Sequence, residues 1–392
     1  IGFYDHAHHS VPRPTVLLDK GTADAHDNPV MAIDDQGYIW VFSTSHGASR
    51  PSYIHKSARP YSIDEFELVP AEWDGGQGIE KISNFSYMQP WFVPGRGFIA
   101  FLTRYHNPVV RTIGYITSGD GFLWSAWKPL AIMSEGHYQV SEVWSHKDEV
   151  RAGTAFNYHP GSVNLRTNLY YMETRDFGTS WHTVSGTALE LPLDDIESEA
   201  LVFDFASEGK LIYMKDISYD ASGRPVILYV ESTGYESGPG PGARRWMTAG
   251  WNGSEWELRR VTDSDNNYDT GCLHIQDDET WMVIGPTEVG PQPYNPGGEI
   301  AMWRSDNRGL TWSRLAQLTS GSERNHTYAR RPLNAHPDFL AMWADGNPRK
   351  PSISRLHFAG DDGKVYRLPL SIHGENMAPE RLDSSTITLE DG

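Results

Sequence analysis

The sequence predicts an all-β chain, a single β-propeller of four-stranded antiparallel blades, on three observations. A turn recurs: Thr174-Arg175-Asp176-Phe177-Gly178-Thr179-Ser180-Trp181 returns as Ser305-Asp306-Asn307-Arg308-Gly309-Leu310-Thr311-Trp312. Tryptophans close successive strand groups at Trp73, Trp124, Trp181, Trp256 and Trp312, with 57 residues from Trp124 to Trp181 and 131 from Trp181 to Trp312, close to two further units of similar size. The composition, 14 Trp, 19 Tyr, 37 Gly and 25 Pro in 392 residues, reads as many short strands joined by tight turns, and helical periodicity is nearly absent. Four-stranded blades have this period.

Six units are delimited near 25–73, 85–130, 136–183, 209–262, 267–316 and 325–371. In the first, Met31 to Phe42 reads as strand, polar turn and strand around Asp34-Asp35-Gln36-Gly37; Ile217 to Tyr229 repeats it around Asp220 and Gly223. Similar hairpins centre on Gly95 to Gly97, His146 to Glu149, Asp277 to Glu279 and His336 to Asp338. Residues 184–208 and the segment Thr15 to Lys20 are available for a seventh blade or for closing the ring on the last one, and seven is the expected count. No linker divides the chain, and the stretch Gly238-Pro239-Gly240-Pro241-Gly242 falls inside a unit as a hairpin loop, so one domain over 1–392 is expected.

The formal charge of −18 argues against nucleic acid as a partner, because phosphate binding needs a broad basic face. An anionic substrate then requires positive charge concentrated in one cleft. No apolar run approaches the roughly 18 residues of a membrane span, and the start at Ile1 shows neither a basic n-region nor an apolar h-region, so the expectation is a soluble, already processed monomer with no membrane partner. A single cysteine, Cys272, rules out an internal disulfide and leaves stability to the buried core.

The first strand of each unit opens on polar groups where a packed interior would demand apolar ones: His26-Asp27-Asn28, Phe85-Ser86-Tyr87-Met88-Gln89, His137-Tyr138-Gln139, Asn267-Tyr268-Asp269-Thr270 and Asn325 to Arg331. Such residues suit a wet funnel, since each unsatisfied polar group in a dry core would cost roughly several kcal/mol. The links after the second strands add Ser43-Thr44-Ser45-His46-Gly47 with Arg50, Thr103-Arg104-Tyr105-His106 with Arg111, and Asn157-Tyr158-His159 with Arg166. Three successive blades thus place His or Tyr beside Arg at one rim. That wall fits a carboxylated sugar, because arginine grips a carboxylate bidentately and aromatic faces stack on pyranose rings.

The recurring turn resembles the Asp-box, S/T-x-D-x-G-x-x-W, of sialidase-like propellers, most closely at Asp176, with Asn307 in place of Asp and a degraded third copy from Thr117 to Trp124 around Asp120. Across most of its length the chain resembles the β-propeller polysaccharide lyases of the BNR-repeat group, above all the short ulvan lyases and the rhamnosyl-glucuronate lyases. The residues that carry this are Ala25-His26-Asp27-Asn28-Pro29, then His46, Tyr87 and Arg104. The resemblance implies β-elimination at a 4-linked glucuronate or iduronate, with ulvan favoured, and no cofactor for the chemistry. It assigns Arg104 to neutralising the uronate carboxylate, His26 to the base, Tyr87 to protonating the departing O4, and His46 to orienting the carboxylate or the base. The reverse assignment of His26 and Tyr87 stays open. Arg50, His106, Arg111, Tyr158 and Arg166 follow as substrate contacts, with Tyr268, Arg330 and Arg331 from the far rim. It further implies a secreted, periplasmic or cell-surface protein.

Three other readings stand beside it: a rhamnosyl-glucuronate lyase on arabinogalactan-type glycans, a sialidase-like hydrolase and a non-catalytic glycan-binding propeller. A sialidase needs three carboxylate-binding arginines, a Tyr/Glu pair and an Asp acid; Arg13-Pro14, Glu80, Glu142 and Glu199 do not assemble into these. For metals, Cys272 and His274 alternate onto one side of a strand, where His326 or His336 could join them, but two ligands do not make a zinc site and a buried thiol beside a channel histidine is the favoured reading. The run Asp5, His6, His8, His9 reads as a flexible terminus.

Overall fold

A computed structural model describes residues 1–276 and 279–382, and among these are strands and turns with no helix. The strands gather into two compact units, one formed by Ile1–Gly2 and Pro14–Phe203, the other by Phe3–Arg13 and the chain from Asp204 onward.

The first unit holds three four-stranded antiparallel sheets. The first sheet comprises Pro29–Ile33, Ile39–Ser43, Tyr53–Ser57 and Phe66–Leu68. The second comprises Ser86–Val93, Gly97–Tyr105, Arg111–Ser118 and Lys128–Ala131. The third comprises Gln139–His146, Glu149–Tyr158, Thr167–Thr174 and Leu201–Phe203. A small sheet of Glu72–Asp74 and Ile79–Lys81 takes in Leu123–Trp124 in parallel.

Side chains alternate across a strand, so Gly97–Tyr105 serves two cores at once. Phe98, Ala100 and Leu102 pack with Trp40, Phe42 and Trp124 on the side of the first sheet. Ile99 and Phe101 pack with Phe156, Tyr170 and Trp181 on the side of the third. Burying each large side chain contributes about 1.5–3 kcal/mol, and this stacking of sheet on sheet holds the unit without a cross-link.

The second unit repeats the scheme. Its sheets are Leu211–Tyr219, Pro225–Ser232, Arg244–Trp251 and Trp256–Ser264; then Cys272–Ile275, Trp281–Glu288, Glu299–Ser305 and Ser313–Gln317. The last has five strands, Asn325–Arg330, Ala341–Gly346, Leu356–Ala359, Val365–Arg367 and Glu380–Leu382. The all-β class and the six expected strand groups are therefore present, as four-stranded sheets with one extended to five.

Some expectations change. The third group does not end at 183: residues 184–208 supply its outer strand, Leu201–Phe203, rather than a further blade, and no seventh four-stranded sheet occurs among the described residues. The terminal run is not loose. Tyr4 lies against Phe339 and Phe358, with ring centroids 5.6 and 4.9 Å apart, and Val11–Pro12 pairs with Asn376–Met377. Of the hairpin expected at Asp277 to Glu279, Asp277 and its neighbour lie outside the described residues.

All three recurring turns close in the same way. Asp176 Oδ1 accepts the amides of Thr179 and Ser180 at 3.0 and 2.9 Å, while Thr174 Oγ1 accepts that of Gly178 at 2.8 Å. Asn307 Oδ1 takes the Thr311 amide at 2.9 Å, and Ser305 Oγ that of Gly309 at 2.8 Å. In the degraded copy the hydroxyl comes from Ser118, one residue later than Thr117, and Asp120 Oδ1 accepts Phe122 and Leu123 at 2.8 and 3.0 Å. Gly121 and Gly178 have φ of 79° and 88°, and a Cβ on them would meet Trp40 of the first sheet at 2.5 Å and Tyr115 of the second at 2.4 Å. These two turns are thus keyed to the sheet before them.

Candidate active site

The first sheet brings two histidines together by register. Pro29 pairs with Ser43, so residues three before and three after that pair, His26 and His46, face each other at the open end of the hairpin. Their rings stack with centroids 4.2 Å apart. Asp24 lies beneath both: Oδ1 is 2.7 Å from His26 Nδ1 and Oδ2 is 3.1 Å from His46 Nδ1. A carboxylate only accepts, so both imidazoles donate from Nδ1 and turn the Nε2 lone pair outward. Asp24 is kept well below the usual carboxylate range by the amide and ring of His26, then by Arg50 and His46.

Arg50 does not reach for a substrate. Its Nη2 lies 2.6 Å from Asp24 Oδ2 and its Nε 2.9 Å from Asp27 Oδ2. Asp27 also accepts the His46 amide at 2.7 Å and is pulled down to about 2, chiefly by Arg50. Arg50, expected as a sugar contact, is thus held here by the carboxylates that hold the histidines. Asp24, His26 and His46 place donor atoms within 4.8 Å of one another, a set that could hold a cation, but the guanidinium against Asp24 already supplies positive charge there.

Tyr87 enters from the second sheet through a bulge between Ser86 and Gln89, with φ of 48°. A tyrosine in the left-handed region stores backbone strain, a device that clusters at functional sites. Its ring centroid is 6.3 Å from His26, 6.0 Å from His46 and 5.8 Å from Tyr138. Burial, then the neighbouring Tyr138 and Tyr105, raise its phenol well above the ordinary tyrosine range, so it remains protonated.

Two guanidiniums, Arg104 and Arg111, lie near this end of the second sheet and differ in their surroundings. Arg104 shares the face of Phe98, Ala100 and Leu102, and it stacks between Trp73 and Trp127, 4.6 and 5.7 Å from their ring centres. Its contacts here are with these indoles. Tyr105, one residue on, points to the other side and pairs across the strand with Arg111. Arg111 lies over the rings of Tyr138 and Tyr105 at 4.9 and 5.6 Å, and its Nε and Nη1 are shut from solvent with no hydrogen-bond partner. Two desolvated guanidinium nitrogens without partners are costly unless an acceptor reaches them.

Tyr138 is the platform of the cluster. Arg166 covers it at 4.0 Å and the buried His159 ring is 4.9 Å away. His159 is pushed down to about 2 by burial, then by Arg166, His137 and Arg111, and stays neutral.

The other expected contacts fall elsewhere. Tyr158 is buried in the core between the second and third sheets. His106 sits exposed on the turn between two strands of the second sheet, with φ of 56°. In the second unit, Tyr268 packs edge-on to Tyr213 at 5.2 Å. Arg330 Nη1 donates to the Lys215 carbonyl at 3.0 Å, and Arg331 is paired with Asp216 at 3.0 Å, so both arginines tie the last sheet to the strand Leu211–Tyr219. Cys272 and His274 lie 3.9 Å apart, but His326 is engaged by Ser322 and Trp343 at 3.0 Å each, which corrects the expectation that it could join them.

Asp24, Tyr105 and Tyr138 had no assigned role in the sequence. The signal available for Asp24 was its place two residues before His26, where an Asx turn forms: the His26 amide donates to Asp24 Oδ1 at 3.0 Å.

A sequence profile described as the BNR repeat-containing family matches residues 7–264, and the chain belongs to that family. Within it, the chain is similar to an ulvan lyase of Nonlabens ulvanivorans, 21% identical across 89% of this chain and 76% of that one, and to an ulvan lyase of Alteromonas sp. (strain LOR), 20% identical across 88% and 73%. Among solved structures it is similar to a PL25 ulvan lyase bound to -[GlcA(1-4)Rha3S]-, with a TM-score of 0.70 and 18% identity over 91% of this chain and 86% of that one. It is also similar to the polysaccharide lyase Uly1, with a TM-score of 0.56 and 12% identity over 86% and 78%. These likenesses show the propeller-type all-β fold.

Proposed function

We propose that the chain is a polysaccharide lyase that cleaves ulvan by β-elimination at a 4-linked glucuronate or iduronate. The observation that carries this reading is the meeting, within the first unit, of an outward-facing imidazole pair, a protonated tyrosine and a guanidinium with two shielded nitrogens left without a hydrogen-bond partner. Similarity to ulvan lyases across nearly nine-tenths of the chain supports the choice of substrate.

The chemistry assigns itself by charge. The C5 proton of a uronate is very weakly acidic while the adjacent carboxylate is ionised, and Arg111 against that carboxylate stabilises the enolate-like charge that develops. His26 takes the C5 proton on Nε2, while Asp24 holds Nδ1–H and stabilises the imidazolium. The C–H electron pair becomes the C4=C5 double bond, the C4–O4 bond breaks, and Tyr87 protonates O4. The raised pKa of Tyr87 favours this direction over the reverse assignment. His46, sharing Asp24, orients the base, and Tyr138 with Arg166 forms the wall on which the sugar rings stack. Hydrolysis is less suited to the cluster, because Asp24 and Asp27 are both engaged by Arg50. A polysaccharide substrate goes with a secreted, periplasmic or cell-surface protein.

The test is to incubate the protein separately with ulvan, gum arabic and sialyl-lactose, following the ultraviolet absorbance of the unsaturated uronate and the release of sialic acid. Rising absorbance with ulvan is expected, and its loss in His26→Ala and Tyr87→Phe. Sialic acid release would move the protein to the hydrolases, silence on all three would leave a binding module, and a gum arabic signal alone would select the rhamnosyl-glucuronate substrate.

A further inference from the structure

The terminal segment Phe3–Arg13 belongs to the second unit, and it brings His6 to the hairpin that precedes Ala341–Gly346. The His6 and His336 rings lie 4.1 Å apart, tilted by 33°. Asp338 stands beside them, with Oδ2 3.6 Å from His336 Nδ1. One donor atom from each of His6, His336 and Asp338 falls within 4.8 Å of the others.

Two features separate this group from an accidental surface cluster. His6 Nδ1 is shut from solvent and has no hydrogen-bond partner, an arrangement that costs about 1–3 kcal/mol unless something fills the position. Asp338 pairs with no lysine or arginine among the described residues, so its charge is uncompensated, unlike that of Asp24. The Asp338 amide donates to His336 Nδ1 at 3.2 Å, a bond that a metal held at this nitrogen would have to displace.

We propose that His6, His336 and Asp338 form a binding site for a divalent transition metal of the zinc type, which clips the terminal segment to the last sheet. Two imidazoles and a carboxylate make a three-ligand set for zinc, with a water completing a tetrahedron. Bond lengths of about 2.0–2.2 Å require the donors to draw in by about an ångström from the separations above, and two of the three side chains are half-exposed and free to do so. The site is remote in role from sugar cleavage: it fixes a strap whose other anchors are Tyr4 on Phe339 and the pairing of Val11–Pro12 with Asn376–Met377.

The experiment uses the full chain without a histidine tag, titrated with Zn²⁺ by calorimetry and with Co²⁺ by visible absorption, and heated with and without Zn²⁺. One zinc per chain, a tetrahedral cobalt spectrum and a rise in Tm are expected. His6→Ala, His336→Ala and the surface change Asp338→Asn should each weaken zinc binding at least about tenfold and remove the Tm rise, while leaving ulvan cleavage unchanged. Asp24→Asn should bind zinc as the parent does. Zinc binding that survives His6→Ala and Asp338→Asn but is lost in Asp24→Asn would overturn the assignment in favour of the histidine pair of the first unit. A parent protein that takes up neither metal would overturn it outright.

Discussion

Arg104 and Arg111 lie at comparable positions on paired strands, yet their surroundings set opposite roles. Arg104 is held by two indoles and gains cation–π energy of about 1 kcal/mol, whereas Arg111 has two shielded nitrogens with nothing to bond. Arg111→Ala is therefore expected to lower kcat/KM on ulvan by roughly 10²–10³, the usual effect of removing one donor to a developing oxyanion. Arg104→Ala should leave turnover near that of the parent and cost about 1 kcal/mol of stability, read by urea denaturation. The opposite ranking in steady-state kinetics would return Arg104 to the reacting centre. The histidines were legible in the sequence because a strand hairpin fixes which residues flank its open end, and twenty positions is the interval that the Pro29 to Ser43 register imposes on His26 and His46. The guanidinium was not legible. Neighbours on a strand point to opposite sides, so a one-residue difference separates Tyr105, in the cluster, from Arg104, outside it, and the partner across the turn, Arg111, depends on a pairing no local pattern announces.

The recurring turns are the element at which sequence and structure agree best, because their bonds are local. A side-chain oxygen accepts amides two to four residues on, and this needs only the right residue types in order. The same closeness makes a graded test possible. Asp176→Ala removes the acceptor of two amides and of Ser180 Oγ, and should destabilise the protein by about 1–2 kcal/mol. Asp176→Asn keeps a carbonyl oxygen in the place that Asn307 Oδ1 occupies in its own turn, and should lose clearly less. Equal losses in chemical denaturation would mean that charge, and not acceptance, holds the turn. The outer strand Leu201–Phe203 was missed for the converse reason: the turn ending at Trp181 looks like the close of a unit, but the chain runs on for twenty residues before it pairs with Leu169 and Tyr170.

Across the molecule, folding buries several imidazoles in neutral form. Burial lowers His137 to about 4, His159 to about 2, and His274 and His357 each to about 4. In the unfolded chain these groups bind protons near pH 6.5, so between pH 6.5 and 4 the unfolded state holds more protons and stability rises with pH. Each excluded proton is worth about 1.4 kcal/mol per pH unit. Asp27, held low by Arg50, adds in the same sense as pH falls from about 4 towards 2. Asp269, raised by burial, works the other way, binding a proton in the folded state that the unfolded chain releases. Asp265, also raised by burial, acts in the same sense as Asp269, but four histidines outweigh two carboxyls, and urea midpoints should fall steadily from pH 7 to 4.5; a flat or rising midpoint would show that the imidazoles are hydrated or bonded in solution.

All the groups of the proposed reacting cluster are encoded in one uninterrupted stretch, from Asp24 to Arg166. Laboratory grafting could therefore exchange the chain after Phe203, where the first unit ends, for that of a distant relative, while the imidazoles, phenol and guanidinium travel together. A library of such chimaeras would show whether the cutting groups keep working beside a foreign partner half.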